Sequence, residues 1–168
     1  GLMNIFARTL GGVFSDKFAA KGGLSGRVKF LFFALFVEGI ALVAFSMMDA
    51  LVIAVAVMIV FSLFVQMSEG ATFGIVPFVN RKALGSVAGI VGAGGNAGAV
   101  AAGFLFKSEA LTYQEGLFYL GCAVIVCSFA ALAVRFSAAT QAEEQQRFDR
   151  AHAERMGTSG SGQPVPAE

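Results

Sequence analysis

The chain has 168 residues, of which 57% are hydrophobic and 14% are charged, with a formal net charge of +1. Soluble domains usually carry about a quarter charged residues and fewer apolar ones, so this composition excludes an ordinary soluble domain. The net charge itself says little, because in a membrane protein the placement of the charges along the chain is what matters.

Uncharged stretches divide the sequence into segments of membrane-spanning length. Residues 50–68, 83–106 and 116–134 contain no charged side chain, and residues 30–48 contain only Glu38. A helix that rises 1.5 Å per residue needs about 20 residues to cross a hydrocarbon core of about 30 Å. We therefore predict an all-α polytopic membrane bundle. Its five spans are expected at about residues 1–14, 28–48, 50–76, 84–106 and 114–136, the first one shortened because the chain is expected to be a fragment.

The first span contains a single cation, Arg8. Counting back from Asp16, the expected membrane boundary, Arg8 lies about 12 Å deep, near the middle of the bilayer. An unpaired arginine there costs about 2.5–3.5 kcal/mol on insertion scales. Arg8 therefore needs a partner, either a permanent internal carboxylate or a planar oxyanion that its five-donor fork would bind. The sequence leaves both possibilities open.

The segments between the spans alternate in charge. Residues 16–29 and 80–82 are basic, whereas Asp49 and residues 107–115 are not. Because Lys and Arg concentrate in short cytoplasmic loops, the basic segments and the carboxyl terminus are predicted to be cytoplasmic. The tail, residues 137–168, is expected to form a solvated helix at 140–156 and a flexible end at 157–168.

Two carboxylates interrupt the second and third spans. Glu38 is expected near the middle of its helix, and Glu69 lies in a span where Gly70, Gly74 and Pro77 allow a bend. Each carboxylate is either a proton-binding group or the permanent partner of a basic group. We leave both roles open for Glu69 and favour the structural role for Glu38.

The fourth span, residues 84–106, is rich in small side chains and includes the G-x-x-x-G pair Gly94/Gly98. Small residues let neighbouring membrane helices approach to backbone contact. Packing alone does not explain the amide of Asn96, which either bonds across helices or faces the same cavity as Arg8. The fifth span contains two cysteines at a spacing that suits neither a metal nor a disulfide, and we expect no metal ion, no cofactor and no enzymatic activity.

Several segments carry a resemblance. "GGVFSDK" resembles the major facilitator loop motif of Gly, three residues, Asp and a basic residue, at Gly12, Asp16 and Lys17, although its basic continuation is replaced by "FAAKGG" with Arg27 further on. Together, "GLMNIFARTLGG", "EGATFGIVPFV" and "GIVGAGGNAGAVAAGFLF" resemble the nitrate/nitrite porter family of that superfamily. The last of these is similar to its second nitrate signature, in the eleventh helix.

The resemblance implies a partial major facilitator fold, helices eight to twelve of twelve, whose partner is the amino-terminal half of the same transporter. It implies that Arg8 contacts nitrate together with an arginine of the absent second helix. The signature maps onto Gly94, Gly95, Asn96 and Gly98, which are expected to line the substrate.

The function implied is transport of nitrate, nitrite or both across the cell membrane by alternating access, coupled to protons through Glu69. The partners expected are this anion and the lipid bilayer, with no nucleic acid. Alternatives are a nitrate/nitrite antiporter, a nitrite exporter, a carrier of a different anion, and a membrane sensor or partner subunit that does not transport.

Overall fold

The computed structural model describes residues 2–107 and 111–161, with the side chains of residues 6–107, 111–147, 150 and 153. The described residues are 91% helical and include no strand, which confirms the all-α class. The helices are α1 Leu2–Ser46, α2 Leu51–Val79, α3 Leu84–Lys107, α4 Tyr113–Leu132 and α5 Ala138–Ser161, with a one-turn 3₁₀ helix at Arg81–Ala83. In the described part of the chain, α1 to α4 are long and apolar enough to cross a membrane, so this is a multi-pass membrane protein.

A single glycine reverses the chain inside α1. Gly23 has φ 60° and ψ −149°, a conformation that is open almost only to glycine. The rings of Phe14 and Phe18, before this glycine, lie 6.1 and 5.3 Å from the ring of Phe30, after it. A straight helix would separate Phe14 from Phe30 by about 24 Å. The two halves of α1 therefore fold back on each other as a hairpin.

We call residues 2–22 the first arm and residues 24–46 the second arm. The sequence predicted a loop at residues 16–29. In the structure both arms continue as helix through this segment, and the backbone leaves the helical conformation only at Gly23. Charged residues near the end of a membrane helix reach water through long side chains without ending the helix. The reversal is tight because a Cβ atom at Gly26 would lie 2.8 Å from the carbonyl carbon of Phe18.

The α1 hairpin packs against α2 and α4 through most of the buried apolar side chains. Among the described residues these are, on α1, Ala7, Leu24, Val28, Phe30, Leu31, Ala34, Ala41 and Leu42, on α2, Met67, Ala71, Ile75 and Val76, and on α4, Ala131. The α2 members all lie in the second half of that helix, which passes through Pro77 without a break. Packing is therefore concentrated around the hairpin.

Glycines bring the helix backbones into direct contact at two crossings. A Cβ atom at Gly11 of the first arm would lie 2.7 Å from Met67 Cα on α2. Gly39 of the second arm and Gly121 of α4 face each other, and a Cβ atom at either would lie 3.1 Å from the other's carbonyl oxygen. Because a side chain fits at none of these points, glycine sets how closely the helices approach.

Helix α3 differs from α1, α2 and α4 in its packing, because none of its residues is buried.

The α4 helix begins with a capping box, in which Thr112 accepts from the Glu115 amide at 3.2 Å and the Glu115 carboxylate accepts from the Thr112 amide at 2.8 Å.

The described residues from 136 onward form a compact unit of their own. Their helix α5 extends to Ser161, whereas the sequence predicted a flexible end from residue 157. Its surface includes an ion pair of 2.7 Å between Glu143 and Arg147, spaced one helical turn apart. The remainder of the predicted flexible end, residues 162–168, lies outside the described residues.

Candidate anion site

The structure brings Arg8 of the first arm to Glu69 of α2. Arg8 Nη2 forms an ion pair with Glu69 Oε1, and the two side chains are 47% and 39% exposed. The sequence indicated that Arg8 needs a partner and left the partner open. Within the described part of the chain, the carboxylate that meets it is Glu69 rather than Glu38.

The pair forms because the backbones of the two helices touch beside it. A Cβ atom at Gly70, the residue after Glu69, would lie 3.1 Å from the carbonyl carbon of Arg8 and 3.3 Å from the Gly12 amide nitrogen. Such distances are shorter than ordinary carbon contacts, so only glycine fits here. Gly70 was predicted from the sequence to allow a bend in its helix. In the structure it is a packing contact that holds Arg8 opposite Glu69.

The exposure of this ion pair determines how strongly the two charges hold each other. Where water reaches a half-exposed pair, the pair contributes about 0.2–1 kcal/mol, because solvent screens the charges and the side chains lose rotamer freedom. Guanidinium offers five N–H donors in a plane, more than one carboxylate uses. An oxyanion that reaches Arg8 therefore finds free donors there, and only a weak competitor in Glu69.

The second carboxylate, Glu38, lies on the other arm of the hairpin. Glu38 Oε2 accepts a hydrogen bond of 2.7 Å from Ser68 Oγ, and Ser68 directly precedes Glu69. No basic side chain pairs with Glu38 among the residues that the structure describes. One turn before Glu69, the buried Oε1 of Gln66 has no hydrogen-bond partner within the same residues. Neither Ser68 nor Gln66 was predicted from the sequence, because a lone hydroxyl or amide in an apolar helix gives no signal of its contacts.

The loop-motif residues follow Arg8 along the first arm, towards the turn at Gly23. Arg27 forms an ion pair with Asp16, with 2.6 Å between Nη1 and Oδ1. The Arg27 guanidinium also lies 5.0 Å from the ring centre of Phe78 on α2. Lys17 lies over the ring of Phe14 at 5.6 Å, and a Cβ atom at Gly12 would meet open space. Arg27, late in the sequence relative to the family motif, reaches Asp16 because the chain reverses at Gly23.

The signature residues of α3 are not joined to Arg8 in the described part of the chain. No neighbouring atom lies within 4 Å of a Cβ atom added at Gly94, Gly95 or Gly98, apart from their own helix. Asn96 is exposed, and its amide has no side-chain hydrogen bond there. The structure thus brings Arg8 and Glu69 together and leaves the four α3 residues exposed on their helix.

A bundle of apolar helices with the Arg8–Glu69 pair between two of them defines a multi-pass membrane protein with an internal charged site. Comparison with known proteins finds relatives of this class. The chain is 40% identical over 129 residues to the high affinity nitrate transporter 2.5 of Arabidopsis thaliana, covering 76% of this chain and 26% of that protein. It is 42% identical over 118 residues to nitrate transporter 2.2 of Chlamydomonas reinhardtii, covering 70% and 23%.

A bacterial relative, the nitrate/nitrite transporter NrtP of Picosynechococcus sp., is 41% identical over 103 residues, covering 59% of this chain and 18% of that protein. The chain belongs to the nitrate/nitrite porter family. It spans about a quarter of the length of the curated relatives that it matches. No protein-family model matches the chain, and no solved structure matches it either.

Proposed function

We propose that this chain is the carboxyl-terminal part, helices eight to twelve, of a secondary transporter that carries nitrate, nitrite or both across the cell membrane with protons. The observation that carries the proposal is the half-exposed Arg8–Glu69 pair between two membrane helices. The relatives support the substrate, because the names of several include nitrate or nitrite. As a transporter the protein has no enzymatic reaction to perform.

Arg8 is the anion ligand in this proposal. Nitrate and nitrite are small planar anions, and a guanidinium binds planar oxyanions with parallel N–H donors. The resemblance supplies a second arginine from the amino-terminal half. Two guanidiniums facing one anion leave an empty site with net positive charge, which attracts anions and disfavours neutral or cationic solutes.

Glu69 links the anion to a proton through charge balance. Without substrate, Arg8 and Glu69 neutralise each other. When an anion takes the guanidinium and the two halves close over it, the released carboxylate would be an uncompensated charge away from water, which is costly unless it binds a proton. Anion and proton then enter together and the net charge of the site stays the same. This is the physical basis for symport.

The open face of α3 is the surface that the rest of the transporter covers in this proposal. Gly94, Gly95 and Gly98 allow other helices to approach to backbone contact, and Asn96, on the side of α3 opposite Gly94, lies beside the anion at the junction of the two halves. Alternating access follows if the halves rock around the anion. The basic Arg27 end of the hairpin and the tail are cytoplasmic, as the distribution of Lys and Arg favours.

The test is nitrate binding and uptake in proteoliposomes that contain the complete transporter. We expect Arg8→Ala to abolish binding and Arg8→Lys to weaken it, since an ammonium lacks the planar fork. Glu69→Gln removes the competitor for Arg8, so nitrate should bind tighter by about 1.4–5-fold at neutral pH, the equivalent of about 0.2–1 kcal/mol. The same variant should uncouple uptake from the proton gradient.

The Glu143–Arg147 pair supplies a matched control, because it has similar geometry and lies in the separate tail unit. Glu143→Gln should leave nitrate binding unchanged. If Glu69→Gln weakens nitrate binding instead, Arg8 and Glu69 form a permanent structural pair and the proposal fails. If uptake is insensitive to the proton gradient and requires nitrite on the opposite side, the protein is an antiporter.

A further inference from the structure

A single hydroxyl proton is shared between two acceptors next to the candidate anion site. Ser68 Oγ lies 2.7 Å from Glu38 Oε2 and 2.9 Å from the carbonyl oxygen of Val65. A serine hydroxyl has one proton to donate and two lone pairs that can accept. It can therefore donate fully to only one of these two oxygens at a time.

The protonation state of Glu38 decides whether both of these hydrogen bonds are made in full. If Glu38 is ionised, Ser68 donates to it and the Val65 carbonyl loses this bond. If Glu38 carries a proton, its O–H donates to Ser68 Oγ, and the Ser68 hydroxyl donates onward to the Val65 carbonyl. The second arrangement makes both hydrogen bonds and places no charge in the apolar bundle, where an unpaired charge is costly.

Arg8 and Glu38 lie at the same depth in the hairpin. Arg8 precedes the reversal at Gly23 by as many residues as Glu38 follows it, so both stand about 22 Å from the turn. On α2, Ser68 lies at the level of Glu38, to which it donates a hydrogen bond, and Glu69 is the next residue. Arg8, Glu38 and Glu69 therefore lie in one layer of the bundle. Arg8 is the basic side chain of the layer among the described residues, and it is already paired with Glu69.

Other ionisable groups lie on the elements packed against the second arm. In the described chain they are Asp16, Lys17 and Lys21 on the first arm, and Tyr113, Glu115, Tyr119, Cys122 and Cys127 on α4. Those of the first arm lie nearer the turn. On α4, the second arm crosses at Gly121, and Glu115 lies about 9 Å away along that helix. Neither element supplies a second cation for Glu38.

We propose that Glu38, hydrogen-bonded to Ser68, is a second proton-binding residue of the transporter and holds its proton while Arg8 pairs with Glu69. The assignment of a role in transport rests on the proposed function, whereas the proton on Glu38 does not. Binding takes one proton from water. The new O–H bond points to Ser68 Oγ, and the Ser68 proton points to the Val65 carbonyl.

The consequence for transport is a mutual dependence of proton and anion. An ionised Glu38 adds a negative charge to the layer that contains Arg8 and repels an anion there. Proton binding to Glu38 removes this repulsion, so each ligand favours the binding of the other. Nitrate affinity should accordingly fall when the pH is raised until Glu38 loses its proton.

Infrared spectroscopy of the complete transporter tests the proton directly. We expect the C=O stretching band of a protonated carboxylic acid in the wild-type protein, and loss of one such band in Glu38→Gln. Ser68→Ala should shift that band, because the hydrogen bond to Ser68 is lost. Ser128→Ala is the matched control, since Ser128 is a buried serine that donates to the carbonyl of Ile125, three residues earlier, at 2.6 Å. Among the described residues Ser128 has no hydrogen bond to a carboxyl group. It should leave the band in place.

Nitrate binding as a function of pH tests the coupling. Glu38→Gln imitates the neutral acid, so its nitrate dissociation constant should rise less between acid and alkaline pH than that of the wild type. A pH profile that coincides with the wild type, or an infrared band that survives Glu38→Gln, overturns the inference. If Glu38→Gln does not accumulate, a band unmoved by Ser68→Ala overturns it. Loss of nitrate binding at every pH in Arg8→Ala tests the proposed function separately, whatever the band shows.

Discussion

Two glycines one turn apart on α2 offer a direct test of the contact that holds the candidate anion site together. Both face the first arm, yet their surroundings differ. A Cβ atom at Gly70 would lie 3.1 Å from the Arg8 carbonyl carbon and closer to its oxygen, whereas one at Gly74 would lie 3.6 Å from Arg27 Nη1 and Ser15 Oγ. Gly70→Ala therefore forces two backbones apart, and Gly74→Ala fits at ordinary contact distance.

The magnitude follows from two opposing effects. Alanine is more favourable than glycine in a helix by about 0.8–1 kcal/mol, and this gain applies equally at both positions. Overpacking at Gly70 costs about 1–3 kcal/mol, because the obstacle is backbone rather than a flexible side chain. Gly74→Ala should therefore be stabilising by about 1 kcal/mol, and Gly70→Ala should be less stable than Gly74→Ala by about 1–3 kcal/mol.

The assay is reversible unfolding of the complete transporter in mixed micelles, followed by circular dichroism, together with nitrate uptake. Gly70→Ala should also reduce uptake, since it moves Arg8 away from Glu69, whereas Gly74→Ala should retain it. Equal stabilities of the two variants, within about 0.5 kcal/mol, would refute the argument that backbone contact at Gly70 sets the crossing.

Three further predictions concern the hairpin and the start of α4. Gly23→Ala should destabilise the protein by about 1–3 kcal/mol because of its positive φ, while Gly22→Ala should be neutral or stabilising; chemical denaturation of both variants measures the difference. Thr112→Ala removes the α4 cap and should cost about 1 kcal/mol in the same assay. Arg27→Lys should lower stability by about 0.5–1 kcal/mol through weaker stacking on Phe78, and a double-mutant cycle with Phe78→Leu should show this coupling.

The sequence predicts the membrane class well because the physical alternatives are few. An uncharged stretch of about 20 residues has to be a helix if it crosses a bilayer, since its backbone groups find no other partners there. For the same reason the cost of burying Arg8 could be stated before its partner was known. Both conclusions depend only on local sequence and on the solvent.

The choice of partner depends on contacts between distant residues and could not be predicted in this way. Glu38 and Glu69 are equivalent carboxylates in the sequence, and the crossing at Gly11 and Gly70 decides which of them reaches Arg8. Likewise, the charges of residues 16–29 suggested a loop, because nothing local distinguishes a helix end that projects lysines into water from a true turn.

The glycine crossing also has a mechanical consequence. Side chains between helices act as compliant spacers, whereas two bare main chains in contact cannot be pressed any nearer. Helix α2 can therefore change its angle to the first arm only by rotating about the contact segment from Met67 to Gly70. In such a rotation the ends of the two helices move farthest. Because Glu69 lies within this segment, its carboxylate moves least. Arg8 and Glu69 therefore stay opposite each other while the rest of the two helices moves.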